Sequence, residues 1–305
     1  MKTFNLFSLL VLLAGLSLVS CQNHERQRST DYFGQEIPVE TAEVFAPGII
    51  SLPDRWEGNA NFSPDGTEFY FNVFTDSMKD KAIYQSRYEA GKWTKAQKLT
   101  SLGNHNHWEP FISYSGNQLF FVSSRPPGNE VWNGRIWKSQ RGDDNQWKVP
   151  ELINIKVDTE NGLWFPNHSK TDPSILYHGG NLKAPGTVGK GDLYRYHINR
   201  DSLVHLRELS SEAEDWDPFI APDGSYLLWA SDRPGGYGGT DLYVSFKTGD
   251  QWGAPVNLGA QVNTGQYEVA PRISKDGKVL FFDRPDKGTQ DIYWISSKII
   301  QDLSK

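Results

Sequence analysis

From residue 43 to about residue 298, short apolar runs alternate with polar turn clusters, and the same order of runs returns about every 50 residues. Each unit centres on a tight turn: Ser63-Pro64-Asp65-Gly66, Ser113-Tyr114-Ser115-Gly116, Ser169-Lys170-Thr171-Asp172, Ala221-Pro222-Asp223-Gly224 and Ser274-Lys275-Asp276-Gly277. Proline presets φ, Asp accepts backbone hydrogen bonds and Gly takes the positive φ. An apolar strand follows each turn: Glu68-Phe69-Tyr70-Phe71, Leu119-Phe120-Phe121-Val122, Ile175-Leu176-Tyr177, Tyr226-Leu227-Leu228-Trp229 and Val279-Leu280-Phe281-Phe282. A third strand is predicted at Ala82-Ile83-Tyr84, Arg135-Ile136-Trp137, Asp192-Leu193-Tyr194, Asp241-Leu242-Tyr243 and Asp291-Ile292-Tyr293, and a fourth at 93–99, 147–152, 203–209 and 252–258. Four turn-bounded strands per unit is the content of one propeller blade.

The fifth unit lacks its fourth strand. An unmatched stretch, 43–50, precedes the first unit, and its Pro47 followed by Ile49 and Ile50 resembles Pro255-Val256-Asn257-Leu258. It can supply the missing outer strand, pairing the start of the domain with the last blade and removing two exposed sheet edges. The prediction is an all-β, five-bladed β-propeller over 43–305 closed by its N-terminal strand, with six blades as the alternative.

Composition agrees. Aromatics make up 13%, with 28 Gly, 17 Pro and 11 Trp, as expected of short strands, tight turns and bulky inter-sheet filling. Trp93, Trp147 and Trp252 are expected between adjacent sheets and Trp137, Trp229 and Trp294 in the core, leaving Trp56, Trp108, Trp132, Trp164 and Trp216 for loops or rims. The net charge of -6, without a Lys/Arg cluster, excludes a nucleic-acid groove. The one cysteine, Cys21, excludes an intrachain disulfide and a cysteine metal cluster.

Lys2 and the apolar run 6–18 end in Leu18-Val19-Ser20-Cys21, which resembles the lipobox of bacterial lipoproteins. The resemblance implies a signal peptide over 1–20 and acylation of Cys21, holding the protein at a membrane of the cell envelope, expected to be the outer one. Residues 21–42 are polar and aperiodic and are expected to form a flexible tether. The units resemble the WD-like β-propeller repeats of the TolB type, most clearly in Asp217-Pro218-Phe219-Ile220-Ala221-Pro222-Asp223-Gly224 and in the stretch 231–243. Such propellers serve as docking platforms, glycan-active enzymes and peptidase accessory domains, so the resemblance specifies fold and leaves function open.

Aligning the units on their turns places candidate chemistry on one face. Six positions before the turn stand Glu57, His107, Leu163, Asp215 and Glu268; four before it stand Asn59, Glu109, Phe165, Asp217 and Ala270. Trp108, Trp164 and Trp216 lie between them, and Arg125, Arg233 and Arg284, each followed by Pro, come after the second strand. Acids bridged to those arginines would lock loops together. Two acids left unpaired in a deep axial pocket would suit a glycan-active hydrolase or lyase, with Glu109, Asp217 and Glu268 as candidates. The leading expectation is a non-enzymatic binding or scaffold propeller using this face for a protein or glycan partner. Calcium is the one cofactor that converging carboxylates could hold. His105 and His107 read as a solvated loop pair, and 235–239 as a flexible glycine turn.

Overall fold

A computed structural model describes residues 30–75, 80–127, 134–157, 159–182, 191–286 and 288–305. Cys21, the leader, Trp132 and most of the polar insertion at 181–190 lie outside them. Five small antiparallel sheets stand around one axis, as the repeat predicts. Their inner strands are Trp56–Phe62, His107–Ile112, Thr159–Asn167, Asp215–Ile220 and Val269–Ile273. Second strands follow the predicted turns at Glu68–Thr75, Gln118–Ser123, Ile175–Leu182, Tyr226–Ser231 and Val279–Asp286. Third strands are Asp80–Glu89, Arg135–Gln140, Asp192–His197, Asp241–Thr248 and Thr289–Ser296. Among the described residues no helix is long and apolar enough to cross a membrane.

Outer strands are shorter than the apolar pattern suggests: Gln97–Lys98, Glu151–Leu152, Ser202–His205 and Val256–Asn257. Each is followed by one apolar residue whose N–H donates to the third strand: Leu99 to Ile83 O, Ile153 to Ile136 O, Leu206 to Leu193 O and Leu258 to Leu242 O. The fifth blade borrows its outer strand from the N-terminal side, Glu43–Val44, paired with Trp294 and Tyr293, and Phe45 N–H donates to Ile292 O in the same register. Closure is therefore as expected, but the closing residues are 43–45 and not the Pro47 to Ile50 stretch. Ala46 takes a left-handed φ of 45° and its carbonyl collects the N–H groups of Ile49 and Ile50, so the chain turns away there.

A second correction concerns the tether, expected to run to residue 42. Its last part is packed. Tyr32 is buried and its hydroxyl donates to Asp276 at 2.7 Å, Phe33 stacks on Trp93 with centroids 4.3 Å apart, and Trp93 Nε1 donates to Asp31 O. Two adjacent aromatics in an otherwise polar stretch fill the seam between the first and last blades, alongside Phe45, Phe62, Phe281 and Trp294. The remaining seams are filled in the same way, by Tyr70, Phe121 and Trp137 or by Leu193, Leu227 and Trp229. Bulky rings between twisted sheets bury the apolar area that no single four-stranded blade could bury alone.

Candidate functional site

The pairing of inner with second strand slips at the same place in every blade, after Gly58, Trp108, Trp164, Trp216 and Val269, and the third blade slips once more between Thr159 and Leu163. The next residue, Asn59, Glu109, Phe165, Asp217 or Ala270, takes a left-handed φ between 54° and 62°. None is glycine, so each bulge is strained, and bulges of this kind re-aim a side chain. The bulge also turns a backbone N–H out of the ladder, where it needs a new acceptor. For four of the five bulges that acceptor comes from the preceding blade around the ring. Asn59 N–H donates to the Asp283 carboxylate at 3.0 Å, Glu109 N–H to Asn72 Oδ1 at 2.6 Å, Phe165 N–H to Glu109 Oε2, and Ala270 N–H to Asp217 Oδ2 at 3.0 Å. The axial acids thus have a structural duty: they tie one blade to the next.

The bulges surround a cavity of about 460 Å³ on the axis. Its polar wall is Asn59, Glu109, Asp217 and Asp283, and its apolar wall includes Phe74, Trp108, Trp164, Trp216 and Val269. The tryptophans belong to inner strands rather than loops. Glycines seat them: an ideal Cβ on Gly179 would stand 2.1 Å from Trp164 Nε1, one on Gly191 2.8 Å from Trp216 Nε1, and one on Gly134 2.6 Å from Trp108 Cζ2.

The structure divides the sequence candidates into two sets. Glu57, His107, Asp215 and Glu268, six positions before the turn, are buried inside the blades and do not line the cavity. Asp215 pairs with Arg233 at 2.6 Å and accepts from Trp229 Nε1, and Glu268 pairs with Arg284 at 2.7 Å. Glu57 pairs with Arg55, a partner from the incoming loop. Burial still holds Glu57 up at about 7 against that pairing. Arg125 meets His107 where its counterparts meet acids, yet like Arg233 and Arg284 it donates to a loop carbonyl, Leu102 O, and its guanidinium lies 5.1 Å from the Trp137 ring centroid. Burial first, and Arg125 second, push His107 down to about 4 and keep it neutral. The histidine pair is therefore split, with His105 exposed and His107 buried against Phe121. The glycine turn is exposed but tied by hydrogen bonds, since Gly239 N–H donates to Gln266 O and Asp241 accepts from the Tyr237 and Gly238 N–H groups.

The second set, Trp108, Glu109, Trp164, Trp216 and Asp217, does line the cavity. Glu109 and Asp217 are not bridged to Arg125, Arg233 or Arg284. Burial, then the Asp217 charge, pushes Glu109 up to about 8; burial pushes Asp217 up to about 6. Asp283 is held well above the carboxylate range by burial and its acidic neighbours. The sequence reading missed Asp283, Asn72 and two cations. Arg272 is fully buried with its guanidinium stacked on Phe165, Cζ 4.0 Å from the ring centroid. Lys81 is buried with Nζ 4.3 Å from the Trp108 ring centroid, and burial pulls it down to about 7. The signal was in the columns: Arg272 stands where other units carry Asn61, Phe111, Asn167 and Phe219, and Asp283 where others carry Asn72, Val122, Gly179 and Ala230. Among the described residues no three His, Cys, Asp or Glu gather in a metal-holding arrangement.

No family model and no curated protein matches the sequence. Solved structures do match. TolB from Acinetobacter baumannii superposes with a TM-score of 0.55 at 15% identity over 80% of this chain, which spans 52% of the TolB chain, about half its length. A thermostable family-43 glycoside hydrolase gives 0.53 at 11% identity over 79% of this chain and 89% of its own. The α-L-arabinofuranosidase from Podospora anserina, solved with cellotriose, gives 0.50 at 12% identity over 85% and 98%. At such identities the likeness establishes the fold: a TolB-like five-bladed β-propeller.

Proposed function

We propose that this protein is an anchored binding propeller of the bacterial cell envelope, and that its axial pocket receives a protein or glycan partner. The observation that carries this is the pocket itself. It has the volume of an ordinary ligand site, large aromatic faces and a few convergent polar groups, the usual make-up of a recognition site. Indole faces suit sugar rings and peptide side chains alike. Locking of the outer acids by Arg55, Arg233 and Arg284 gives the pocket rigid walls, and the bonds from Glu109 and Asp217 to neighbouring N–H groups hold its floor. The lipobox supports anchoring through Cys21. The test is a panel of envelope and plant polysaccharides and candidate proteins, followed by calorimetry and by the fluorescence of Trp108, Trp164 and Trp216. Saturable binding without turnover, weakened by Glu109→Gln or Asp217→Asn, is the expected result.

One observation favours a second reading, a glycan-active hydrolase or lyase. Glu109 and Asp217 are pushed to different positions on the pH scale, as a general acid and its partner must be. Both acids are also engaged as blade ties, which is why binding comes first. Product release from any polysaccharide of the panel, abolished by either amide variant, would replace the binding reading with the enzymatic one.

A further inference from the structure

The polar floor of the pocket offers acceptors. Asn59 is 5% exposed, lines the cavity, and its Oδ1 has no hydrogen-bond partner among the described residues. Its amide orientation is fixed by Asp283, which takes Nδ2 at 3.4 Å and would repel the oxygen. Glu109 and Asp217 each give one oxygen to a backbone N–H and retain a second, and Asp283 completes the group. A sugar hydroxyl can give one proton to such a group, whereas an ammonium or guanidinium presents several donors and no acceptor, so a convergent set of ionised oxygens can engage all of them.

Charge points the same way. Among the described residues three axial carboxyls meet Arg272 and Lys81 at the pocket; a third cation, Lys275, lies beyond Arg272 over the Phe111 and Tyr114 rings, where burial and the Arg272 charge disfavour its ionised form, so ionised acids at the pocket are not fully compensated. Arg272 does not discharge the acids directly, because its guanidinium lies on Phe165 and its nitrogens have no hydrogen-bond partner among the described residues. The walls have the matching property: Phe74, Trp108, Trp164 and Trp216 present π faces, which attract cations most strongly where water is excluded. One of these rings already carries a cation, Lys81 over Trp108.

We infer that the axial pocket takes an organic cation, an ammonium or guanidinium group borne by the ligand, held by the Asn59, Glu109, Asp217 and Asp283 oxygens against the Trp164 and Trp216 rings. This deepens the binding function proposed above and rests on it. Seating the cation supplies the missing counter-charge, so Glu109, which faces Asp217, Asp283, Arg272 and Lys81, gives up its proton as the ligand enters. Affinity then rises with pH through the range about 6 to 8, where Asp217 and Glu109 titrate. The cation comes either from a basic side chain of a protein or from a free small amine, and the two sources are separable.

The experiment titrates the purified protein with a short peptide carrying one arginine, with its citrulline isostere, with ethylammonium, and with a neutral trisaccharide, at pH 5 and pH 8. Pocket tryptophan fluorescence and calorimetry in two buffers of different ionisation heat are the readouts. At pH 8 the arginine peptide is expected to bind at least about tenfold more tightly than the citrulline peptide, the scale of a desolvated cation–π contact. The preference should collapse at pH 5, and proton release should show as buffer-dependent heat. Asp217→Asn keeps the acceptor for Ala270 N–H, so it preserves the fold, checked by circular dichroism, while cutting the charge preference. Ethylammonium binding as well as the peptide assigns a free amine; the peptide alone assigns a protein-borne side chain. Equal binding of arginine and citrulline peptides, or a trisaccharide that binds where neither cation does, overturns the cation assignment and leaves the pocket as a ligand site. No response to any probe in heat or fluorescence overturns both.

Discussion

Glu109 and Asp217 each do two jobs, and the two can be separated by substitution. As acceptors they satisfy the N–H groups of Phe165 and Ala270; as buried acids they burden the fold with charge. Asp217→Ala orphans a backbone donor and is expected to cost about 1–3 kcal/mol, whereas Asp217→Asn keeps the oxygen and should unfold close to the wild-type midpoint in urea. The pH dependence carries a definite sign. Both acids titrate higher folded than unfolded, about 8 and about 6 against ordinary values near 4, so the folded chain binds more protons in between. Their contribution is present below about pH 4 and is lost as pH rises toward 8. Buried His107, His168 and His178, each pushed down to about 4, pull the other way between about pH 4 and 6.5. The comparison is therefore wild type against the Glu109→Gln, Asp217→Asn double variant. Relative to the variant, the wild type should lose on the order of 1–3 kcal/mol between pH 5 and pH 8 in chemical denaturation. A flat difference would show that these acids stay ionised at pH 5.

Elements differ in how far the sequence reveals them. The inner turns were legible because their signal is local: Ser63 and Ser274, for example, hold their own hairpins through Oγ, and the glycines take positive φ. The second and third strands carry the period-two apolar pattern that buried sheets require. Outer strands are only two to four residues long and are defined by the strand they join. That is why the Pro47 to Ile50 stretch, apolar and similar to a true outer strand, drew attention from Glu43–Val44. Phe45, fully buried among Phe62, Phe69, Phe281 and Trp294, is the residue that seals the ring. Phe45→Ala is expected to cost about 3–5 kcal/mol in urea unfolding. Ile49→Ser, at a position 55% exposed, should stay within about 0.5 kcal/mol of wild type. The bulges were half legible. Counting back from the turn found their positions, but a left-handed residue at Glu109 or Phe165 leaves no local mark, because the neighbouring blade's acceptor is what stabilises it.

At the scale of the whole molecule, the ring explains why the axial pocket was the least legible part. Its walls come from every blade, so residues such as Asn59 and Asp283, 224 positions apart, meet only after closure. Alignment of units recovered what repeats, hence the Trp108, Trp164, Trp216 series, and passed over what occurs once, hence Arg272 and Lys81. Attachment belongs to this scale too. Cys21→Ser is expected to move the protein from the membrane to the soluble fraction without altering its unfolding midpoint or ligand binding, measured on fractionated cells and on the purified variant. Retention in the membrane fraction would count against the lipid anchor.

The packed start of the described chain has a further consequence. Thr30 lies against Gly66 and Tyr32 reaches Asp276, both in inner turns, and those turns form the face opposite the bulges. Thr30 stands nine positions after Cys21, a span of at most about 30 Å. A lipid on Cys21, as proposed above, would set the turn side of the propeller toward the bilayer and leave the tryptophan mouth on the side away from it, open to whatever passes through the surrounding space.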